Sequence, residues 1–537
     1  MQQYDVTYYL QLAAQPYYSH ALYLSDPMIP GGASLYPWLQ YIPFVLITRW
    51  LGLSVFWVQI VWTVAAAIGA GITGYLFVWL VCRNRWLAAG ITICVWADID
   101  LAIERFAHRF LFIHQAYLTA SDAIHYLLGR PFADRPIFPW QWRINNPLLD
   151  LPFLFLVLVV TSVAREHPSR RNIVLSGLAF ALTFYVYFYL WTMVAAGLCL
   201  AWLVDRQGRR IYALTLALGT GLGWPQIAHD FIIKNALSAQ GLKYFELLVA
   251  VPAPNSWKSP YYHPELVIVE LAIIGVWVIR RKIPALTLAW CMTVAGFCLS
   301  LSNLVMSIYL HNYHWCWLVA PIMHILMVVV ALDLIMLWMP SVMVPGRVFA
   351  LLVCGFLASG IYLTGSIYRI GFFGGYIDSL KHFAEYNKQR TSAGVVPLRP
   401  ESVIAGESDF VDFSAVAERQ RPLGANFLFN NLVLDDEQRE DRYVLDQFLS
   451  GTTRKGFVEQ LGILRESAYM SKEEYPIYLR KFDDVVRDTD KAADALKVRY
   501  LAMRADKATP TFLSSRWTLI QPGPYWKIWE RTENSAK

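Results

Sequence analysis

Ten apolar segments in succession between residues 54 and 369 are the feature that most limits what this chain can become. They fall at 54–81, 86–102, 147–164, 172–188, 189–204, 211–229, 265–280, 283–303, 315–339 and 347–369. A helix needs about 20 apolar residues to cross a hydrocarbon core. In that medium every backbone N–H and C=O must be paired internally, so helices are the expected form. The composition agrees: of 537 residues 56% are hydrophobic and 15% aromatic, with a mean hydropathy of +0.38.

The charges give the segments an orientation. Short connections carry Arg83 and Arg85, then Arg165, Arg170 and Arg171, then Arg206, Arg209 and Arg210, then Arg280, Arg281 and Lys282, and finally Arg347. Basic residues gather on the cytoplasmic side, which places these turns inside. Residues 172–204 have basic flanks at both ends, so the chain crosses there an even number of times. Two short helices meeting at Tyr185–Trp191 are therefore expected in place of one long one. Ten passes with these turns inside put both termini outside. The stretch Tyr36–Leu53, with Pro37, Pro43 and Arg49, would invert every later turn if it spanned, and is read as an amphipathic helix at the outer interface. The outer side then holds residues 1–53, 103–146, 230–264, 304–314 and the tail from about 370; two of these loops are long and rich in Trp, Tyr, His and Pro, whereas the inner ones are a few residues each. A chemistry carried out at the outer face explains that asymmetry.

After Ile370 the chain carries 24 basic and 25 acidic residues, which marks a soluble, near-neutral domain with no basic patch for nucleic acid. Ser402–Ala405 reads as a strand, Glu437–Leu449 and Tyr478–Leu501 contain helical stretches, and Arg516–Ile520 and Tyr525–Trp529 flank Pro522-Gly523-Pro524 as a hairpin. The seven cysteines all lie in or beside apolar segments without metal-ligand spacing, so they read as small apolar residues. The expected architecture is mostly α: residues 1–53 as an outer loop with an interfacial helix, 54–369 as a polytopic transmembrane bundle of about ten spans, and 370–537 as an extracytoplasmic α/β domain.

Several polar residues stand out. Asp5, ahead of the first apolar segment, reads either as a general base for an acceptor hydroxyl or as a solvated acid or cap of a helix over Val6–Gln15. Arg143, in Trp142-Arg143-Ile144-Asn145-Asn146-Pro147, sits where the second long outer connection re-enters the membrane. A guanidinium there suits a lipid phosphate or snorkels to headgroups. Lys258 is a second candidate phosphate contact. Asp98-Ile99-Asp100 has the form of an acidic DxD pair or of a helix end at the interface. Glu270 and Asp333 are acids inside apolar segments, and their small number argues against an ion-coupled transporter.

The order of these features resembles the GT-C superfamily of polytopic glycosyltransferases that use polyprenyl-phosphate-linked sugars. The resemblance rests on Asp5-Val6-Thr7-Tyr8-Tyr9-Leu10, on Leu35-Tyr36-Pro37-Trp38 leading to Leu51-Gly52-Leu53-Ser54, and on Gly74-Tyr75-Leu76 running to Arg83-Asn84-Arg85. It covers roughly residues 1–369. It implies that Asp5 is the catalytic base, with Asp98 or Asp100 as a second acidic site. It also implies that the turn Tyr309–Trp315, with His311 and His314, touches the donor phosphate, His replacing the Arg of an Arg-Tyr pair that relatives often carry near here; the residues alone read equally as an aromatic belt with interfacial histidines. The resemblance further implies a span ahead of Asp5, so upstream in-frame sequence is expected to encode an apolar segment preceded by basic residues.

The resulting expectation is a membrane glycosyltransferase, inverting, that moves a sugar from a polyprenyl-phosphate carrier to a hydroxyl on a lipid, glycan or protein at the outer face of a bacterial inner membrane. Its partners are that donor, the acceptor and membrane lipids, not nucleic acid. No metal or other cofactor is required, because the lipid phosphate is already a reasonable leaving group. Two alternatives remain open: an envelope polysaccharide polymerase or ligase, which would not need Asp5, and a non-enzymatic transporter or assembly subunit.

Overall fold

The computed structural model describes residues 2–24, 28, 38–96, 149–236, 251–252, 264–302, 308–309, 313–338, 374–392, 397–424, 434–466 and 472–532. The chain is mostly helical and divides into two compact units. One gathers Met1–Val61, Asp230–Val249 and Phe372–Lys537; the other consists of Trp62–His229 and Ala250–Gly371.

The second unit is a helical assembly. Its elements are α3 (Trp57–Cys82, which begins in the first unit), α4 (Arg85–Trp96), α5 (Asp150–Glu166), α6 (Arg170–Phe184), α7 (Phe188–Val204) and α8 (Arg209–Ala236). A two-residue strand β1 (Val251–Pro252), α9 (Pro264–Arg281), α10 (Pro284–Ser300), strand β2 (Ile308–Tyr309) and α11 (Tyr313–Trp338) follow. Apolar on all sides, α10 is the buried centre and packs against α5, α7, α9 and α11. Gly197 of α7 and Gly296 of α10 make that approach possible: a Cβ at Gly197 would lie 2.6 Å from the Met292 side chain. A buried hydroxyl chain, Thr161 to Ser176 at 2.7 Å and Ser176 to Thr215 at 2.9 Å, links α5, α6 and α8. Such hydrogen bonds join helices where no water competes.

The outer surface of these helices is apolar. On α3, Ile60, Val64, Ile68, Ile72 and Leu76 form an exposed stripe at four-residue spacing. On α9, Val269, Ile273, Val276 and Ile279 are likewise exposed, at spacings of three and four residues. By length and composition, α3 is the helix among the described residues that is long and apolar enough to cross a membrane; α7 and α10 are apolar but shorter. The count of about ten spans is thus not reproduced by the described helices. The final segment, 347–369, lies outside the described residues, and α5, α6 and α10 are helices of 15 to 17 residues. The expected division of 172–204 is present: α6 ends at Phe184 and α7 begins at Phe188.

In the first unit a five-stranded sheet has the order β4-β3-β5-β7-β6, with β3 Val403–Gly406, β4 Arg421–Pro422, β5 Val498–Arg504, β6 Trp517–Pro522 and β7 Trp526–Arg531. Both β4 and β5 run parallel to β3, while β7 is antiparallel to β5 and β6. Helices cover both faces. On one side α14 (Asp436–Leu449), α15 (Arg454–Glu466) and α16 (Tyr475–Arg487) bury Leu445, Phe457 and Phe482 against Leu501, Met503 and Trp529. On the other, α12 (Gly374–Ser392) and α13 (Ser408–Ala417) bury Phe383 and Phe410 against Tyr500, Ala502, Trp526 and Ile528. Successive residues of β5 thereby serve opposite cores, as the twofold period of a strand requires.

Two expectations change here. The helical reading of Tyr478–Leu501 holds for α16 and the short α17 (Thr489–Ala495), but its end is the central strand β5. Lys497 takes a left-handed backbone at φ 53° and stops the helix, and burial on both faces then outweighs local propensity. Residues 1–53 are not simply a loop before an interfacial helix. They begin with α1 (Gln2–Ser19), which packs on α13 and buries Leu10, Leu12, Ala13 and Ala14. Gln11 Nε2 donates to Asp412 Oδ1 at 3.0 Å, and the Tyr18 hydroxyl donates to the Ala417 carbonyl at 3.0 Å. The interfacial helix is represented by a 3₁₀ turn, Trp38–Gln40, and α2 (Ile42–Trp50).

Gly406 ends β3 at φ +119°, and a Cβ there would meet the Ala502 carbonyl oxygen of β5. Gly406→Ala is therefore expected to destabilise the sheet unit by at least ~2 kcal/mol, read as a lowered denaturant midpoint in pulse proteolysis of the full chain.

Candidate functional site

The two ends of the helical unit differ in chemistry. At one end Arg83 Nη2 donates to Glu166 Oε1 at 2.6 Å, Arg165 Nε to Asp205 Oδ2 at 2.6 Å, and Arg281 Nε to Asp333 Oδ2 at 2.8 Å. Trp277 Nε1 adds a bond to the same Asp333 oxygen at 2.7 Å. Asp333, an acid within an apolar helix, thus serves as the partner of a basic turn.

The opposite end carries an aromatic cluster. It forms where the α6–α7 turn meets the start of α11. Tyr187, extended at the N-cap of α7, places its hydroxyl 2.7 Å from His314 Nδ1. The His314 ring stacks on Tyr189 with centroids 4.6 Å apart. Trp315 Nε1 donates to Thr192 Oγ1 at 3.1 Å and sets its ring edge-on to Tyr189 at 5.0 Å. The antiparallel pairing of β1 with β2, Val251 opposite Tyr309 and Pro252 opposite Ile308, leads the chain into α11 and so helps to place this histidine. The arrangement offers an imidazole held by a hydroxyl, aromatic faces, and the first turn of a 26-residue helix, whose N-terminal end favours negative charge. Such a surface can stack a sugar ring and donate to a phosphate oxygen.

Of the residues singled out in the sequence, His314 is the one this cluster contains. Asp5 lies in the first turn of α1, in the other unit. Asp98, Asp100, Arg143, Lys258 and His311 fall outside the described residues. Among the described residues no group of three or more His, Cys, Asp or Glu side chains could hold a metal ion.

The structure also brings forward acids that sequence reasoning missed. Asp150, in the first turn of α5, is fully buried. Its signal was present, since an acid just after Asn145-Asn146-Pro147 inside an expected span is uncommon. In the sheet unit, the Asp446 carboxyl is buried against Gly424 after β4 and lies within electrostatic reach of Asp412, itself bonded to Gln11 of α1. Nothing local marks that pair, because the two acids lie on different helices.

No family model matches the chain, and no curated protein does. Among solved structures it is similar to the archaeal oligosaccharyltransferase AglB from Archaeoglobus fulgidus in complex with an inhibitory peptide and a dolichol-phosphate, at 12% identity and a TM-score of 0.45. It is also similar to a structure of the Archaeoglobus fulgidus oligosaccharyltransferase with Zn and sulfate, at 12% identity and a TM-score of 0.44. Each likeness covers 94% of this chain, and 65% and 64% respectively of those proteins, so the chain spans less than two thirds of their length. AglB is a GT-C superfamily member.

Burial first, and then the neighbouring Asp412 carboxylate, push the Asp446 carboxyl up from 3.8 to about 7, against the opposing pull of the Gly424 amide. The folded state therefore binds a proton that the unfolded chain has already released between these values. Stability of the sheet unit should fall as pH rises from about 4 to about 7, by an amount of order a few kcal/mol. Asp446→Asn should flatten that decline, measured as denaturant midpoints by pulse proteolysis across the window.

Proposed function

We propose that this chain is an integral membrane glycosyltransferase of GT-C type that moves a sugar from a polyprenyl-phosphate carrier to a hydroxyl acceptor at the outer face of the membrane. The observation that carries the reading is the aromatic junction of Tyr187, Tyr189 and His314 at the end of the helical unit away from the ion-paired basic turns. With basic turns inside, this junction faces outward. It combines stacking surface for a sugar with a histidine near a donor phosphate. The exposed apolar stripes on α3 and α9 suit contact with lipid.

In the proposed reaction Asp5 takes the proton of the acceptor hydroxyl as its oxygen attacks the anomeric carbon. The bond from that carbon to the phosphate oxygen breaks, and the polyprenyl phosphate departs with the electron pair. A single displacement inverts the anomeric centre. Arg143, Lys258, His311 and His314 stabilise the charge on the departing phosphate, with Asp98 and Asp100 as a second acidic position. The leaving group is stable enough that no metal is required by the chemistry.

Orientation is tested by cysteine labelling in intact cells after the native cysteines are replaced. Arg170→Cys and Arg209→Cys should resist an impermeant reagent, while Lys455→Cys in the sheet unit should react. A protected Lys455→Cys would contradict the proposed sidedness.

Chemistry is tested with purified protein, a polyprenyl-phosphate sugar and a hydroxyl acceptor. Asp5→Asn should lower turnover about 10²–10⁴-fold while leaving carrier binding nearly intact, because the amide keeps the shape but accepts no proton. Arg143→Ala should weaken carrier binding instead, through loss of a charge-assisted contact. Near-normal turnover by Asp5→Asn would move the base to Asp98 or Asp100 or end the glycosyltransferase reading.

A further inference from the structure

The hairpin of α1 and α2 in the sheet unit holds a groove that no step of sugar transfer uses. α1 stops at Ser19, and His20 takes a left-handed backbone at φ 60°. That turn carries the His20 imidazole to α2, where Nδ1 accepts a hydrogen bond from the Arg49 guanidinium. The Tyr17 hydroxyl donates to the Leu53 carbonyl at 2.6 Å and ties the end of α1 to the segment after α2. Between them lies an open groove of about 520 Å³, lined by Tyr17, Tyr18, His20, Leu46, Arg49 and Trp50.

Among the described residues, the lining brings a guanidinium and an imidazole together and contains no carboxylate. Among the described residues Arg49 forms no ion pair, and its bond to His20 occupies one of five N–H donors. With Nδ1 as the acceptor, the imidazole proton resides on Nε2, so both groups have donors to offer an anion. The rim is apolar. α2 buries Ile42, Val45 and Thr48 on one face and exposes Ile47, Trp50 and the following Leu51 on the other, with Trp50 84% exposed. A cationic groove beside an exposed tryptophan and aliphatic side chains matches a ligand with an anionic head and a hydrocarbon body.

We propose that this groove binds the phosphate of an anionic membrane phospholipid. Arg49 and His20 Nε2 donate to the phosphate oxygens, while Trp50 and Leu51 contact the glycerol and acyl region. The site rests on the membrane reading above, though not on sugar transfer. It would anchor the α1–α2 hairpin, and with it the sheet unit that α1 packs on, at the lipid surface.

The test is native mass spectrometry of the full chain released from nanodiscs of mixed phosphatidylcholine and phosphatidylglycerol, counting retained lipid. Wild-type protein should retain phosphatidylglycerol preferentially. A His20→Gln, Arg49→Gln double variant should bind it about ten-fold more weakly or worse, as expected for lost charge-assisted hydrogen bonds. Arg49→Lys should fall between, because a point charge replaces the fork. Wild-type protein that shows no preference would overturn the proposal without recourse to any variant, as would a folded double variant that binds as well as wild type. Displacement of the lipid by inorganic phosphate at equal concentration would make the groove a free-phosphate site and equally overturn it. Failure of the membrane reading is seen separately, as protein released from membranes by alkaline carbonate.

Discussion

Three ion pairs tie together the charged turns at one end of the helical unit. An unpaired ion against apolar helices costs several kcal/mol, whereas a paired one keeps its Coulomb attraction in a low-dielectric setting. Arg83 with Glu166, Arg165 with Asp205, and Arg281 with Asp333 satisfy this requirement at successive turns, all at one end. Trp277 and Gln207 take up further donors and acceptors at these pairs. The opposite end holds Tyr187, Tyr189, His314 and Trp315, which bond and stack with one another.

The helices between those ends are set by close packing. α10 is apolar all round because it has neighbours all round, and small residues at Gly197 and Gly296 let α7 and α11 approach it. The Thr161–Ser176–Thr215 chain adds directional bonds to an assembly otherwise held by dispersion. The α6–α7 turn between these helices places the Tyr187 hydroxyl against His314.

The sheet unit solves a different problem. Its central strand β5 is covered on both faces, and α1 from the far N-terminal end of the chain completes one of the two covering layers through α13. The Gln11 to Asp412 bond belongs to that contact, and it lies beside the buried Asp446. The helix α1 that bears Asp5 is thereby part of a folded layer through Leu10, Gln11 and Ala13.

What the sequence determined by itself is what depends on near neighbours along the chain. Apolar runs and their basic flanks placed the helices, including the division of residues 172–204 into α6 and α7, because both flanks are basic and burial pattern is local. Alternation around Pro522-Gly523-Pro524 placed the β6–β7 hairpin for the same reason. Tertiary structure alone decided the docking of α1 on α13, the strand at 498–504 where helix was expected, the juxtaposition of Asp412 with Asp446, and the pairing of His314 with Tyr187. Each of these joins residues far apart in the chain, and their energy comes from contacts that exist only after the intervening elements have packed. A local pattern carries no record of such contacts, so they become legible only in three dimensions.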